Sequence, residues 1–418
     1  MAELPVNQLL TVAQAIAIID ATPVAPRIER VRIEQACGRR LAADILADRD
    51  DPPFDKSLMD GYAVCADDST TLRIVGDIPA GTSATRAVAE GEAMSIMTGA
   101  PLPPGADAVV PIEQTVRDGQ SVLLKMHPKA GQSIARRGSD CAVGTVVLRR
   151  GDLLGPAQIA VAASAGAAIL DVFTLPKVAI LSTGDEIVPV DRQPGPSQIR
   201  NSNSHMLHSL LTRLGCEVRD LGIVPDEPEL IRAEMERGME SDVLFVTGGM
   251  SMGEYDYVPR LLAEMGVELR ISKLRIKPGK PFVFGVRTSA NSPQSPDVAP
   301  HVHAGLPGES KFVFGLPGNP VSGYVCTLRL ASRLLARIGG GEPPSDLAGL
   351  KLLTPLAANG PREFYQPAVM DHTGGIQPLN WKGSADIYTL AAANALIIRE
   401  ENAPALAIGA TVLAVKMP

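Results

Sequence analysis

The amino-acid sequence predicts a multidomain α/β chain: a central α/β domain with a parallel-type sheet, a β-rich N-terminal domain and a small C-terminal β-barrel-like domain. Three observations predict this. The 418 residues are too many for one ordinary core, and the length points to about three domains. In the middle third, buried-type strands alternate with amphipathic helices, the pattern of a parallel sheet covered on both faces. On either side the apolar runs are short and broken by Gly and Pro, with no helical period.

Residues 11–21 read as a short helix with Thr11 as its N-cap. From about 28 to 150, runs such as RIVGD, AMSIM, ADAVVPIE and SVLLKM read as strands. Residues 156–170 are Ala-rich and suit a packed helix, with Pro156 in its first turn. Residues 177–182 form a buried-type strand, and 202–215 place Leu207, Leu210, Leu211 and Leu214 on one helical face ending at Gly215. Strands follow at 217–224, 243–246, 281–286 and 311–315, with helices near 228–238 and 257–265 and another carrying Val321 to Leu335. Residues 289–310, rich in Ser, Pro and Ala, read as a flexible surface insertion. Beyond Gly339-Gly340-Gly341 and Pro343-Pro344 short strands return, suggesting a β-barrel or sandwich of about 75 residues.

Composition narrows the function classes. Hydrophobic residues at 45% and charged residues at 20% are globular. Aromatics at 4% imply aliphatic cores of Val, Ile, Leu and Ala. A net charge of −7 gives no basic field over the chain, which argues against nucleic acid as a partner. The five cysteines (Cys37, Cys65, Cys141, Cys216, Cys326) are scattered, with no C-x-x-C pair, and read as free thiols in a reducing compartment. Neither a signal peptide nor an apolar run of about 18 residues is evident, so the expected setting is the cytoplasm, away from membranes.

The loops of the α/β segment hold the chemistry. Strand 177–182 runs into Thr183-Gly184-Asp185-Glu186, and strand 217–224 into Asp226. Strand 243–246 runs into Thr247-Gly248-Gly249-Met250-Ser251, with Asp256 beyond, and strand 311–315 into Pro317-Gly318-Asn319-Pro320. All follow the carboxyl ends of strands, where open α/β sheets bind ligands. Gly248 and Gly249 allow close backbone approach to an anion, although a Gly-rich loop alone is more often a tight turn. Asp185, Glu186, Asp226 and Asp256 together would suit Mg²⁺, while Asp226 before Pro228 would also serve as a helix N-cap. Lys277-Pro278-Gly279-Lys280-Pro281 sets two ammonium groups on a stiffened frame, either an oxyanion site or a solvated turn. Of the histidines, His205 and His208 fit a solvated helix face, and His301 and His303 fall in the insertion. No G-x-S-x-G, Walker A or H-E-x-x-H pattern is present. These residues point to an α/β protein that binds a phosphorylated anion with a divalent cation, and leave the reaction open.

One further motif is specific. Ser57-Leu58-Met59-Asp60-Gly61-Tyr62-Ala63 resembles the signature heptad of MoeA-type molybdopterin molybdenumtransferases and of the gephyrin C-terminal domain. In the order of that family follow Ile96-Met97-Thr98-Gly99-Ala100, Arg137-Gly138-Ser139-Asp140, Ser182-Thr183-Gly184-Asp185-Glu186 and Ile199-Arg200-Asn201-Ser202-Asn203. The Gly248-Gly249 loop, the two-lysine turn and the segment from Gly315 to Ser322 complete the match over nearly the whole chain.

The resemblance implies four domains. A discontinuous dimerisation stalk takes 1–27, 46–51 and 145–174, and a β-rich domain takes 28–45 and 52–144. A molybdopterin-binding α/β domain takes 175–340 and a C-terminal β-domain 341–418. It implies a homodimer with a composite active site, and a reaction that inserts molybdate into adenylyl-molybdopterin with Mg²⁺-dependent release of AMP. By resemblance the catalytic residues are Asp256, Asp60, Glu186, Lys277 and Lys280, and the metal ligands Glu186, Asp226 and Asp256. Thr98, Asp140, Thr183, Gly184, Asp185, Gly248, Gly249, Ser251, Pro317, Gly318 and Asn319 would bind substrate. Lys277, Lys280, Ser322, Arg362 and Ser384 would hold molybdate. Partners implied are the molybdopterin adenylyltransferase and downstream cofactor-handling proteins.

Two other readings compete. An adenylyltransferase shares the α/β module but would not explain residues 57–63 or the terminal β-domain. A gephyrin-like dimeric scaffold would bind a peptide, yet no aromatic-rich groove is evident and the polar site residues would be superfluous.

Overall fold

The computed structural model describes residues 9–250, 257–288, 310–345 and 347–418. The chain divides into two compact units, one of Met1–Glu29, Gly38–Ala42 and Val172–Pro418, the other of Arg30–Cys37 and Ala43–Asp171.

In the first unit, helix α1 (Val12–Ala21) begins with a capping box. The Gln14 N–H donates to Thr11 Oγ1 at 3.1 Å, and the Thr11 N–H to Gln14 Oε1 at 2.9 Å. At its other end the Ile19 carbonyl accepts the N–H of the C-cap residue Thr22, and Arg337 donates to the carbonyls of both Ile19 and Thr22.

The central sheet follows. Its strands are β1 (Lys177–Thr183), β2 (Glu217–Val224), β3 (Val243–Thr247), β4 (Glu268–Ile271), β6 (Val283–Arg287) and β7 (Lys311–Leu316). The short β5 (Ile276–Lys277) belongs to another sheet. The order is β2-β1-β3-β7-β6-β4. The first four strands are parallel, while β6 and β4 are antiparallel additions at one edge. The sheet is thus of the expected parallel type, with antiparallel strands only where no helix separates two strands, since an antiparallel pair needs no crossover. Arg287 sits opposite Lys311, so β6 and β7 are the flanks of the predicted insertion. Residues 289–309 themselves lie outside the described residues.

Both faces of this sheet are buried. Val178, Ile180, Val243 and Phe245 pack into one cluster, with α2 (Ser202–Arg213) contributing Leu207, Leu210 and Leu211. Ala179, Leu181, Leu244 and Val246 face the opposite cluster, covered by α3 (Pro228–Gly238) and α4 (Val258–Glu264). The alternation is the strand's period of two with no solvent side. The aliphatic-core expectation needs correcting here. Phe245, Phe282, Phe284 and Phe314 are all fully buried in one cluster, with Phe314 ring-to-ring with each of the other three at 5.0–6.0 Å. Phenylalanine is rare in this chain but concentrated, so average composition hid it. Past β7, α5 (Pro320–Cys326) runs through a π-helical turn at Thr327–Ala331 into α6 (Ser332–Ile338).

The C-terminal strands are β8 (Leu347–Leu352), β9 (Glu363–Met370), β10 (Gly375–Pro378), β11 (Ala395–Arg399) and β12 (Thr411–Lys416). They pair β9-β10-β8-β12-β11 and return to β9, a closed barrel with no free edge. Strand β5 adds to β9 in parallel, with Lys277 opposite Phe364.

The second unit is β-rich, as expected. Its six-stranded sheet runs Ala108–Pro111, Gly61–Val64, Glu92–Ile96, Thr71–Ile78, Ser121–Leu124, Thr115–Asp118. The helix expected over 156–170 is shorter, Pro156–Ser164, and 169–173 is a strand. Gly166 at φ +76° ends the helix, in a conformation alanine runs do not signal.

Candidate functional site

A polar cavity of about 420 Å³ opens at the carboxyl ends of the parallel strands. From β1 and its loop come Ser182, Thr183 and Glu186, from β3 Thr247 and Gly248, and from the turn before α5 Gly318, Asn319 and Pro320. Asn201 to Asn203, at the start of α2, close one side, and Ala385 and Ile387 of the C-terminal domain close another.

The walls are held by a buried hydrogen-bond network. Asn201 caps α2 by accepting from the Ser204 N–H at 3.1 Å and donates its Nδ2 to Ser182 Oγ at 3.0 Å. The Thr247 hydroxyl donates to the same Ser182 oxygen at 3.4 Å. Asn203 donates to the Gly318 carbonyl at 2.6 Å, tying α2 to the turn before α5. Two oxygens in these walls, Thr183 Oγ1 and Asn203 Oδ1, are buried without a hydrogen-bond partner among the described residues. Buried polar atoms are nearly always satisfied, so these two are suited to a ligand or ion. Glycine is required beside them. A Cβ on Gly248 would lie 2.3 Å from the Thr183 carbonyl oxygen, and Gly184 has φ +141°, a conformation L side chains rarely adopt.

Of the residues singled out in the sequence, Thr183, Glu186, Gly248, Gly318 and Asn319 therefore share one cavity. Gly184, Gly249 and Pro317 adjoin it in sequence without lining it. The Asp185 carboxylate accepts the Asp226 N–H at 3.1 Å, bracing one loop against the next. The N-cap of α3 is Glu227, not Asp226, because Pro228 and Glu229 already open the helix. Ser251 and Asp256 lie outside the described residues. Among the described residues no three His, Cys, Asp or Glu side chains gather as a metal site. Residues not singled out beforehand are Ile187, Ala385 and Ile387, while Ser182, Thr247, Asn201 and Asn203 stood in quoted motifs without a role. The N-cap pattern Asn-Ser-Asn before an apolar face was the one available signal for the two asparagines.

The two-lysine turn lies at a junction of three segments. Pro278 and Gly279 are buried, and a Cβ on Gly279 would meet Cys326 Sγ at 2.6 Å, so the turn packs on α5. Lys280 is exposed, and its carbonyl accepts the N–H groups of Leu274 and Phe282. Lys277 faces the rings of Phe364 and Trp381. Ser322 is buried within α5, and the neighbouring Val321 N–H donates to the Ser384 carbonyl at 3.1 Å. Arg362 stands two residues before Phe364 on the barrel chain, its carbonyl accepting from Asn359. Ser384 lines an adjacent hollow with Lys382, Asp386 and Tyr388, and Ala385 borders both spaces.

In the other unit the Asp60 carboxylate accepts the Thr98 N–H at 2.7 Å and its hydroxyl at 2.8 Å, which holds the acid below the usual carboxylate range. Exposed Leu58, Met59 and Met97 surround the pair in sequence. Asp140 is anchored separately, its N–H on the Asp51 carbonyl and its carboxylate accepting from Ser139. Gly61 has no room for a side chain, since a Cβ there would lie 2.0 Å from the Val110 carbonyl oxygen.

All five cysteines are free. No helix among the described residues is long and apolar enough to cross a membrane.

Three family models match the chain in order: the MoeA N-terminal region (domain I and II) over residues 10–166, a "Probable molybdopterin binding domain" over 179–337, and the MoeA C-terminal region (domain IV) over 350–417. A molybdopterin molybdenumtransferase of Haemophilus influenzae is 32% identical over 416 residues, covering 97% of this chain and 98% of that one. One of Nostoc sp. is 31% identical over 405 residues, covering 93% and 89%. A crystal structure of a molybdopterin biosynthesis MoeA protein from Pyrococcus horikoshii superimposes with a TM-score of 0.81 at 26% identity, covering 98% of this chain and 100% of that one.

Proposed function

The chain belongs to the molybdopterin molybdenumtransferase (MoeA) family, transferases of molybdenum cofactor biosynthesis, and from that premise we propose that it inserts molybdate into adenylyl-molybdopterin with Mg²⁺-dependent release of AMP. The observation that carries the reading is the polar cavity at the strand ends, with its glycine floor, Glu186 and two unpaired buried oxygens. Such a surface suits the phosphate-bearing part of a nucleotide-linked pterin.

Mg²⁺ takes oxygen ligands and is commonly held by one or two carboxylates together with substrate phosphates. Glu186 in an oxygen-lined cavity fits that pattern, and Asp256 would join it by resemblance. Asp226 is a weaker candidate, because it does not line the cavity. When bound, the ion would supply charge neutralisation at the phosphoryl linkage. The chain's own groups do the rest. The Thr183 hydroxyl can donate to the phosphate-bearing end, Asn203 Oδ1 can accept from a ligand N–H or O–H or face the cation, and Asp256 is the acid assigned to adenylate cleavage. Lys277 and Lys280, with Ser322, Arg362 and Ser384 in the adjoining segments, would hold the molybdate dianion.

The same reading includes a cytoplasmic homodimer in which Asp60, Thr98 and Asp140 of one subunit complete the partner's site. Leu58, Met59 and Met97, next to the Asp60–Thr98 pair in sequence, are large apolar residues left 42–50% exposed, which supports a partner surface here. The molybdopterin adenylyltransferase and cofactor-handling proteins are proposed as further partners. The deciding experiment is turnover: adding molybdate to enzyme, Mg²⁺ and adenylyl-molybdopterin should release stoichiometric AMP and give a product that activates an apo-molybdoenzyme. AMP release indifferent to molybdate would sink the proposal.

A further inference from the structure

The Lys277 ammonium lies 4.5 Å from the centre of the Phe364 ring and 5.6 Å from that of Trp381. The rings touch each other, with centroids 5.2 Å apart and planes inclined by 36°. Backbone register places the lysine there, because β5 runs parallel to β9 with Lys277 opposite Phe364. The tryptophan arrives from the loop after β10, which is tied to α5 where Ser384 accepts the Val321 N–H.

Trp381 is the one tryptophan in the chain. Its indole N–H is buried without a hydrogen-bond partner among the described residues. A phenyl ring would fill that space without stranding a donor, and a stranded donor is unfavourable. What indole offers in exchange is the strongest cation–π face among the side chains. A lysine held by ring faces also keeps its charge un-neutralised and available to an anion. We propose that Trp381, paired with Phe364, is a positioning residue that holds the Lys277 ammonium in place for the oxyanion, a role that rests on the proposed molybdate-holding function of the two-lysine turn. A free lysine must give up much rotamer freedom to bind, and a pre-placed one has already done so.

The single indole makes the protein its own reporter. Molybdate alone, titrated against the intact protein under selective indole excitation, should give a saturable emission change that Lys277→Met abolishes or shifts to much higher concentration. In turnover, Trp381→Leu should raise the molybdate concentration for half-maximal AMP release by about two- to thirtyfold, with kcat at saturation unchanged. Trp381→Phe, which keeps a ring, should recover part of the loss. In a Lys277→Met background Trp381→Leu should add nothing, a coupling that a general packing role would not produce. If Trp381→Leu does not fold, Trp381→Phe compared in the two backgrounds carries the same decision. A parental molybdate requirement in the tryptophan variants, or an effect that persists without Lys277, overturns the positioning role. If Lys277→Met itself leaves the molybdate requirement unchanged, the oxyanion reading of this turn fails first and the positioning role falls with it.

Discussion

Gly248→Ala probes the cavity where it is tightest. Gly248 has φ +95°, a region that strains an L side chain, and an added Cβ would sit 2.3 Å from the Thr183 carbonyl oxygen and 2.9 Å from Thr183 Oγ1. Ordinary contact begins near 3.4 Å, so something must retreat by about 1 Å. Strand β1 is held in register on both sides, Thr183 against Val224 and Ser182 against Thr247, so the loop moves rather than the strand. Backbone strain of this kind costs about 1–3 kcal/mol, which in a domain of this size lowers Tm by roughly 2–4 °C per kcal/mol. A misplacement of about 1 Å at a reacting site costs on the order of a hundredfold in rate. The variant should therefore fold, melt several degrees lower, and lose on the order of a hundredfold in kcat/KM for adenylyl-molybdopterin. Its molybdate requirement should stay near the parent's, because the two-lysine turn packs on α5 instead. The assay is initial AMP release over a range of adenylyl-molybdopterin concentrations, with calorimetry on the same samples. A lower Tm with undiminished kcat/KM would show that the strained loop is structural and that the pterin nucleotide binds elsewhere.

Lys280→Ala removes one charge-assisted contact worth about 1.5–3 kcal/mol, so half-maximal turnover should need roughly ten- to a hundredfold more molybdate and be rescued by excess. Loss of pterin nucleotide binding instead, measured by calorimetric titration, would move the lysines to the phosphate site. Mixing Asp60→Ala subunits with Glu186→Gln subunits should restore up to half the parental activity per mixed dimer if one intact site forms across the interface; mixed dimers without recovered activity would refute a composite site. Burial raises the Glu363 carboxyl above its ordinary value, against the Tyr365 hydrogen bond and Arg329. Its favourable contribution is thus present below the ordinary glutamate range and lost as pH rises through the folded-state value. Glu363→Gln should raise Tm relative to the parent at neutral pH, the gap closing as the buffer is taken below that range, and a Tm difference independent of pH would contradict this.

Much of the α/β domain was legible because its signals are local. Leu207, Leu210 and Leu211 recur at helical spacing and are the apolar residues α2 buries, and Thr11, read as an N-cap, is one, with Gln14 completing a capping box that was not anticipated. The four polar loops were legible for the same reason, since a strand running into Gly, Asp or Asn marks its own end. Where the sequence misled, a distant partner decided. The phenylalanine cluster gathers residues 245, 282, 284 and 314, which no window of sequence holds together. The helix expected over 156–170 stops at Ser164 for a local reason instead, since Gly166 takes a left-handed turn and residues 169–173 are extended.

By itself, then, the sequence determined the family, the succession of β-rich, α/β and β-barrel segments, and the residue types at the strand ends. Those follow from periodicity, turn chemistry and motif order, each written within a short stretch of chain. Only the tertiary structure decided which of those residues share a space. It separated Thr183, Glu186, Gly248 and Asn319, which line one cavity, from Asp185, whose carboxylate is taken up by the Asp226 backbone. It also placed Phe364 and Trp381 beside Lys277, across about ninety to a hundred residues of chain, through the parallel pairing of β5 with β9. Contacts at that separation depend on how whole strands register in a closed barrel, and register is a property of the assembled sheet rather than of any one segment.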